Sequence, residues 1–429
     1  MGAPLRKIAV IGGGIAGLSA ASKLVRDGND VTVFESAPQL GGRARAITWK
    51  GQQLDNGQHI LLGAYHQTLN LISSLGINLD AVFLRLPLTL QMQSSFSLKA
   101  KRLPAPLNLL FGLLLAKGLS WGERLAAIRF FIWVRNKDFK LVKDEPLLDL
   151  LNRHRQPPRL IKWMWEPLCL AALNTSIKTA SAQIYLNVLR DSFNQNKNDS
   201  DLILPRADLS TLLANPLGID IIKHGGEIKL KTTVDNIVKT DHGFNLCIEG
   251  KTDLEFSHVI IATSPHHTLS ISHALDVARE LNSFDYQPIY SVYIQYPSDV
   301  KLPSEMIGFT KGIAQWAFDR GQLCGQRGLV AVIISAEGHH QKITQEALGE
   351  AVTDELRSAF PNLPKHEWFK VIAEKRATFS CTAGLKRPSQ KTSTPNLYLA
   401  GDYTEGDYPA TIEGAIRSGQ TCAQFILQS

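Results

Sequence analysis

Gly12, Gly14 and Gly17 stand in a Gly-x-Gly-x-x-Gly spacing, and an acid, Glu35, follows 18 residues beyond the last glycine. Each residue type has a physical job there. Gly12 permits a tight turn, Gly14 lets backbone approach a pyrophosphate, and Gly17 lets a helix pack close to the preceding strand. The helix start at Ile15 and Ala16 offers free N–H donors and the positive end of a dipole to an anion. Glu35 can accept hydrogen bonds from ribose hydroxyls. The glycine spacing alone is a weak signal, because such patterns arise by chance. Its place after a strand-like run and before a helical one gives it weight, and the chemistry it predicts is dinucleotide binding.

The elements that must position these residues follow from the hydrophobic pattern. Residues 7–11 (KIAVI) read as a buried parallel strand, 18–27 as a helix closed by Gly28-Asn29, and 30–34 as a second strand ending at Glu35. A helix is predicted from Tyr65 to Leu75. From Leu86 to about Arg190 the pattern reads as helical and apolar. Strand texture returns near Leu202. Residues 224–239 read as a glycine turn and a strand, 244–249 and 258–263 as further strands, and 290–295 with 329–335 as strands of a second sheet. A helix over 341–360, a strand over 396–400 and a closing helix over 412–427 complete the chain. The polar stretch 194–201 is the longest candidate linker, and no internal repeat is visible, so the domains are expected to interleave.

The 429 residues, 44% hydrophobic and 20% charged, are too many and too apolar for a disordered chain. Five cysteines, at 169, 247, 324, 381 and 422, include no Cys-x-x-Cys pair. That disfavours a disulfide framework, a zinc ribbon or an iron–sulfur site and predicts reduced thiols and no metal. The net charge is +7, and the window 101–143 alone holds nine basic residues against two acids. The positive charge is interleaved with leucines, not with stacking aromatics, which points to a membrane surface and away from nucleic acid. The first dozen residues show no signal-peptide pattern.

Further motifs sharpen the reading. Leu40-Gly41-Gly42-Arg43-Ala44-Arg45 follows the acid directly, where a nicotinamide-binding fold would start its next helix. Near the other end stand Leu397-Tyr398-Leu399-Ala400-Gly401-Asp402 and Ala410-Thr411-Ile412-Glu413-Gly414-Ala415. Together these resemble the two-dinucleotide-fold flavoproteins of the amine oxidase and carotenoid desaturase type. The resemblance implies FAD. It places Gly42 and Arg43 beside the pyrophosphate and flavin, Gly401 and Asp402 at the ribityl chain, and Val234 against the adenine. It also turns the helix start at Thr411 and Ile412 towards the flavin N1/O2 edge, where its dipole favours the anionic reduced ring. The Ser-Gly-Gly-Cys signature of covalent flavin is absent, and Thr411 stands where amine oxidases place a cage tyrosine. Non-covalent FAD and a substrate other than an amine are therefore expected.

The stretches Asp55-Asn56-Gly57-Gln58-His59-Ile60-Leu61-Leu62-Gly63-Ala64-Tyr65 and Leu399 to Gly419 are similar to the bacterial squalene-associated FAD-dependent desaturases, the hydroxysqualene dehydroxylases of squalene and hopanoid biosynthesis. Lys375-Arg376-Ala377-Thr378 resembles that family's segment before the last strand. The resemblance covers the whole chain, with its specific motifs at the two ends. It implies that hydroxysqualene and reduced FAD give squalene, water and oxidised FAD. The hydroxyl is allylic, so its protonation and loss leave a delocalised cation that hydride can quench. The loop Gly57-Gln58-His59 would pass the flavin, with His59 as first candidate for a polar group at the reacting carbon and Asp55 as second. Asp55 can equally brace the loop, His59 can equally hydrogen-bond flavin or backbone, and Asp407 and Tyr408 are weaker options. Plant-type phytoene desaturases share much of the pattern, so hydride transfer from a polyene to FAD with a quinone acceptor is the alternative. A non-catalytic prenyl-lipid carrier is a third reading, disfavoured by the intact Gly-Gly-Arg.

The expected fold is α/β: a two-dinucleotide-binding, Rossmann-like FAD domain (1–85, 205–270 and 385–429) interleaved with an α+β substrate domain (86–204 and 271–384) and a helical membrane-facing region. Residues 103–116 form an uncharged run of 14, short of the roughly 18–20 that span a bilayer. With Phe130, Phe131 and Trp133 among Arg129 and Arg135, the segment 103–135 reads as a monotopic patch that meets anionic lipid; an internal core above the substrate cavity is the competing reading. The protein is thus expected in the cytoplasm, peripherally held at the inner membrane, with a separate electron donor because no second nicotinamide fingerprint is present.

Overall fold

In a computed structural model of the chain, residues 6–429 are described except 94, 194–195, 197, 273–274, 276 and 278. Five parallel strands form one sheet: Glu227–Leu230, Asp30–Glu35, Lys7–Ile11, His258–Ile261 and Leu397–Leu399, in that spatial order. Lys7–Ile11 sits at the centre, with Ile8 paired to Val31 on one side and His258 on the other. Ile8, Ala9 and Val10 are fully buried, as the β-branched run predicts for a strand covered on both faces. The first strand leads into helix Ile15–Arg26, and the last is followed by the closing helix Ile412–Leu427. These two helices pack directly on each other, although nearly the whole chain lies between them.

The second large sheet has seven strands, in the order Trp368–Phe379, Tyr286–Gln295, Leu329–Ser335, Trp316–Asp319, Met306–Gly308, Thr89–Met92 and Phe96–Lys99. Its pairings are antiparallel apart from the single parallel contact of Gly308 with Met92. Alternation splits its faces. Val292 and Ile294 join the core under helix Gln345–Ala359, while Tyr293 points into the larger core shared with the helical region. That region comprises Leu107–Leu114, Trp121–Asn136, Leu147–Arg153, Glu166–Leu173 and Ala182–Phe193.

Several expectations need correction. The segment after Leu86 is not helical throughout: Thr89–Met92 and Phe96–Lys99 are strands, with Leu88, Leu90, Met92, Phe96 and Leu98 all buried. Residues 224–239 hold two strands, not one. Glu227–Leu230 joins the parallel sheet, and Val234–Lys239 starts a separate antiparallel sheet with Phe244–Ile248. Phe130 does not face outwards. It is buried, its ring 5.4 Å from that of Trp165. The stretch 194–201 falls partly outside the described residues.

Candidate functional site

The three fingerprint glycines meet distinct surroundings. Gly12 has φ +115°, and a Cβ there would lie 2.7 Å from the Ala262 carbonyl oxygen. A Cβ on Gly17 would lie 2.1 Å from the Gly12 carbonyl oxygen, so only glycine lets the helix sit this close. At Gly14 no atom lies within 4 Å of the Cβ position, which leaves open space beside the backbone. Helix Ile15–Arg26 starts there with no side-chain cap and no acid in its first turn, so its first amides are available to an anion.

The second glycine turn is laid against the first. Gly41 N–H donates to the Gly13 carbonyl at 2.9 Å, and Gly42, with φ +58°, sits so that a Cβ would be 3.3 Å from Gly14 Cα. Glu35 holds the turn from below: its carboxylate accepts from Gly13 N–H and Ala37 N–H, each at 2.7 Å. Thr232 N–H donates to the Glu35 carbonyl at 2.9 Å. Buried Val234 therefore lies two residues from the Glu35 backbone, at the end of the site where the adenosine was expected.

The chain ends meet at Arg43 and Asp402. Arg43 Nη2 lies 2.6 Å from Asp402 Oδ1, and its Nη1 donates to the Ala377 carbonyl at 2.9 Å. Asp402 is buried, and Gly401 N–H donates to Ser418 Oγ at 3.0 Å. Thr411 caps the closing helix: its Oγ1 accepts from Gly414 N–H at 2.9 Å and donates to the Tyr408 carbonyl at 2.8 Å. Ile412 follows as the first residue of the helix. Fully buried Glu413 then accepts from the amides of Gln67 and Thr68 at 3.1 and 2.9 Å and from the Thr68 hydroxyl at 2.7 Å. It thereby caps helix His66–Ser74 and ties the 57–65 loop to the closing helix.

The 55–59 loop is braced from the large sheet. Asp55 is buried, accepts from Leu209 N–H at 3.1 Å and lies 3.7 Å from Arg320 Nη1. Burial outweighs that arginine and pushes its carboxyl up to about 6. Arg320 also donates to Gln58 Oε1 at 2.7 Å, and Tyr293 O–H donates to the Asp55 carbonyl at 2.9 Å. Asp55 thus links the loop to Leu209, Arg320 and Tyr293. His59 is half-buried with its Nδ1 wholly enclosed and unpartnered. Burial pushes its imidazole down to about 4, which favours the uncharged ring at neutral pH. A Cβ on Gly57 would touch nothing but the His59 ring, at 4.0 Å.

An open face at Gly14, uncapped amides at Ile15 and Ala16, and an orphaned nitrogen on His59 fit a bound dinucleotide with a polar ring edge near His59. The residues that would hold it come from both chain ends and from the 55–59 loop. Sequence reasoning missed Arg320, Tyr293, Arg190 and Asp191. None stands in a recognisable motif, and each reaches the site only through the fold.

Two clefts lie in the helical region. One borders Thr411 and is walled by Ala172, Ile184 and Val188, with Asp191, Ser192, Asp407 and Tyr408 as polar groups. The other is lined by apolar side chains, among them Leu109, Leu113, Phe131 and Trp165. Above it, Leu107, Phe111 and Leu115 (43, 43 and 60% exposed) turn outwards from one helix and Trp121, Leu125 and Ile132 (65, 53 and 55%) from the next. The 107–115 run thus has both expected faces, one lining the interior and one bare. Among the described residues no helix is long and apolar enough to cross a membrane.

Comparison with known proteins is consistent with this geometry. The sequence profile of flavin-containing amine oxidoreductases matches residues 15–427. The chain is 26% identical over 437 residues to the hydroxysqualene dehydroxylase of Zymomonas mobilis, covering 97% of this chain and 98% of that one. It is 27% identical to the enzyme of the same name from Rhodopseudomonas palustris, covering 98% of each chain. The 15-cis-phytoene desaturase of Arabidopsis thaliana is 25% identical, covering 98% of this chain and 80% of the relative. Among solved structures, cyclohexylamine oxidase from Brevibacterium oxydans superposes with a TM-score of 0.74 at 16% identity, covering 99% of both chains. Putrescine oxidase bound to putrescine gives 0.71 at 15%, again over 99% of both. At these identities the structures establish the fold.

Proposed function

The chain belongs to the flavin-containing amine oxidoreductase family and is an FAD-dependent oxidoreductase, and from that premise we propose that it converts hydroxysqualene to squalene by reductive loss of the allylic hydroxyl. The observation that carries this reading is the cleft beside Thr411, where Leu62, Ala64, Ala172, Ile184 and Val188 face the polar groups Asp191, Ser192, Asp407 and Tyr408. Such a mixed wall suits a lipid that carries a hydroxyl. The hydroxysqualene dehydroxylases similar over their whole length support it.

The FAD is held non-covalently in this reading. Gly12, Gly14, Ile15, Ala16, Gly17, Gly42 and Arg43 take its pyrophosphate side, Glu35 and Val234 its adenosine, and Gly401 with Asp402 its ribityl chain. Gly57, Gln58, His59, Thr411 and Ile412 border the ring. When bound and reduced, FAD supplies the hydride and proton that turn the alcohol into hydrocarbon and water. The protein's share is positional and electrostatic. Arg320 and Asp55 fix the 55–59 loop, and neutral His59 offers a hydrogen bond without burying a charge. The apolar walls keep bulk water from the allylic cation. The cofactor domain takes 1–85, 205–270 and 385–429, and the substrate domain takes 86–204 and 271–384.

The bare apolar residues of 107–132, set among Arg124, Arg129 and Arg135, meet the cytoplasmic face of the inner membrane, from which a C30 isoprenoid must be drawn. A separate electron donor reduces the flavin. The second reading, a phytoene-type desaturase with a quinone acceptor, is favoured by the similarity to 15-cis-phytoene desaturases. One experiment separates them. Anaerobically reduced enzyme is mixed with hydroxysqualene, and oxidised enzyme with phytoene. Squalene with flavin reoxidation in the first mixture supports dehydroxylation. No squalene there, together with desaturated phytoene in the second, rejects it.

A further inference from the structure

Among the polar groups that line the cleft beside Thr411, two are well fixed. Asp191 and Tyr408 both line it, and both are largely buried (7 and 8% exposed). Arg190 Nε and Nη2 donate to the two Asp191 carboxylate oxygens at 2.6 and 3.0 Å, and Nη2 also reaches Asp407 at 3.0 Å. The carboxylate is thus locked in place with its charge compensated. Burial, and after it the neighbouring Asp191 carboxylate, hold the Tyr408 proton on well above the ordinary phenol range. The Tyr408 ring is gripped by the Tyr65 ring, edge-on at 5.7 Å, and by the Arg417 guanidinium at 4.3 Å. Ala172, Ile184 and Val188 form the apolar side of the wall, and Ser192, Asp407 and Thr411 add to its polar side.

We infer that Tyr408 and Asp191 form a hydroxyl-recognition subsite, which binds the C–OH of a long-chain alcohol and discriminates it from the hydrocarbon that lacks it. The inference rests on the dehydroxylase reading for the identity of the alcohol. A ligand hydroxyl enters between the two, donating to Asp191 and accepting from the Tyr408 hydroxyl in place of its contact with the carboxylate. A hydrocarbon in the same place makes neither contact and displaces the water that would otherwise meet the remaining lone pairs of the two groups, which disfavours an analogue missing the polar group. Arg190 makes the pair a poor seat for a substrate ammonium, because the compensating charge is already present. The product differs from the substrate by the recognised group alone, so the same contacts that select the alcohol release the hydrocarbon. No proton transfer is assigned to the pair; both are specificity-determining residues.

The test uses oxidised holoenzyme, which has no reducing equivalents and so binds without turnover. Affinities for hydroxysqualene and for squalene are measured by perturbation of the flavin absorbance. Hydrogen bonds to a charged group predict that the wild-type protein prefers the alcohol roughly 10- to 100-fold. Tyr408→Phe, which keeps the ring contacts, and Asp191→Asn, which keeps the shape, should each cut alcohol affinity about ten-fold and leave squalene affinity unchanged. Equal affinity of the wild type for both lipids overturns the subsite, as does full preference in both variants. If the preference is present and lost in the variants, yet reduced enzyme makes no squalene, the subsite stands and the dehydroxylase reading falls. If squalene is made with an unaltered KM in both variants, the dehydroxylase reading stands and the subsite falls.

Discussion

At the scale of single residues, the loop 55–59 sets two titrations of opposite sign. His59 is pushed down to about 4 in the folded protein, against an ordinary value of about 6.5. The unfolded chain therefore binds more protons between those values, and stability falls as pH drops through the window. Asp55, raised to about 6, works the other way. Its contribution is fully present below the ordinary carboxylate value and is lost as pH rises through 6. Replacing His59 isolates the first effect, since Asp55 is common to both proteins. The urea-unfolding free energy of wild type minus that of His59→Gln should grow by about 2 kcal/mol from pH 5 to pH 7.5. A difference that does not change with pH would mean that His59 is not held neutral. The residue types and spacing around the loop were legible, but its charge state was not. Desolvation depends on what the tertiary structure places around the ring, and Arg320, which braces Gln58 and Asp55, is 262 residues from Gln58 in the chain.

At the scale of elements, helices Leu107–Leu114 and Trp121–Asn136 carry the membrane question. Their apolar content was plain in the sequence; which side chains face outwards was decided by packing. Leu109, Leu113 and Phe130 went into the core, while Leu107, Phe111, Leu115, Trp121, Leu125 and Ile132 stayed bare. The variant carrying Leu107→Asp, Phe111→Asp and Leu115→Asp places charge only on the outward face. It should fold with its flavin and lose the co-sedimentation with vesicles rich in anionic lipid that is expected of the wild type at low salt. Unchanged sedimentation of the folded variant would remove the patch from the membrane. Strands were harder to read. Thr89–Met92 and Phe96–Lys99 had a period-two pattern with Leu88, Leu90, Met92, Phe96 and Leu98 inward, masked by the leucine-rich run that follows. Trp368–Phe379 carries Lys370, Glu374, Lys375 and Arg376 because it lies at the sheet edge, paired only with Tyr286–Gln295.

At the scale of the whole molecule, the fold depends on the two ends of the chain lying against each other. A Cβ on Gly419 would fall 2.1 Å from the Ala16 carbonyl oxygen and 2.4 Å from Ser19 Oγ, so the closing helix touches the fingerprint helix through bare backbone. Gly419→Ala must push the helices apart. It is expected to cost about 1–3 kcal/mol, read as a lower thermal midpoint, and to weaken retention of the flavin. Gly122→Ala is the control: it sits in an exposed helix with nothing within 4 Å of the new methyl. It should be neutral or stabilise by up to about 1 kcal/mol. If both variants behaved alike, close approach of the chain ends would not be what Gly419 secures.

The sequence by itself determined the local parts of this protein: the strand Lys7–Ile11, the glycine turn, the acid after the second strand and the closing helix Ile412–Leu427, found within its observed bounds. These depend on φ/ψ requirements and on periodicities that neighbouring residues impose on one another, so they can be read in a short window. Only the tertiary structure decided that Arg43 meets Asp402, that Glu413 caps helix His66–Ser74, and that Asp191 and Tyr408 share one cleft. Those contacts join residues hundreds of positions apart. Their energies come from burial and charge pairing, which exist only once the chain has folded and water has been excluded from between them.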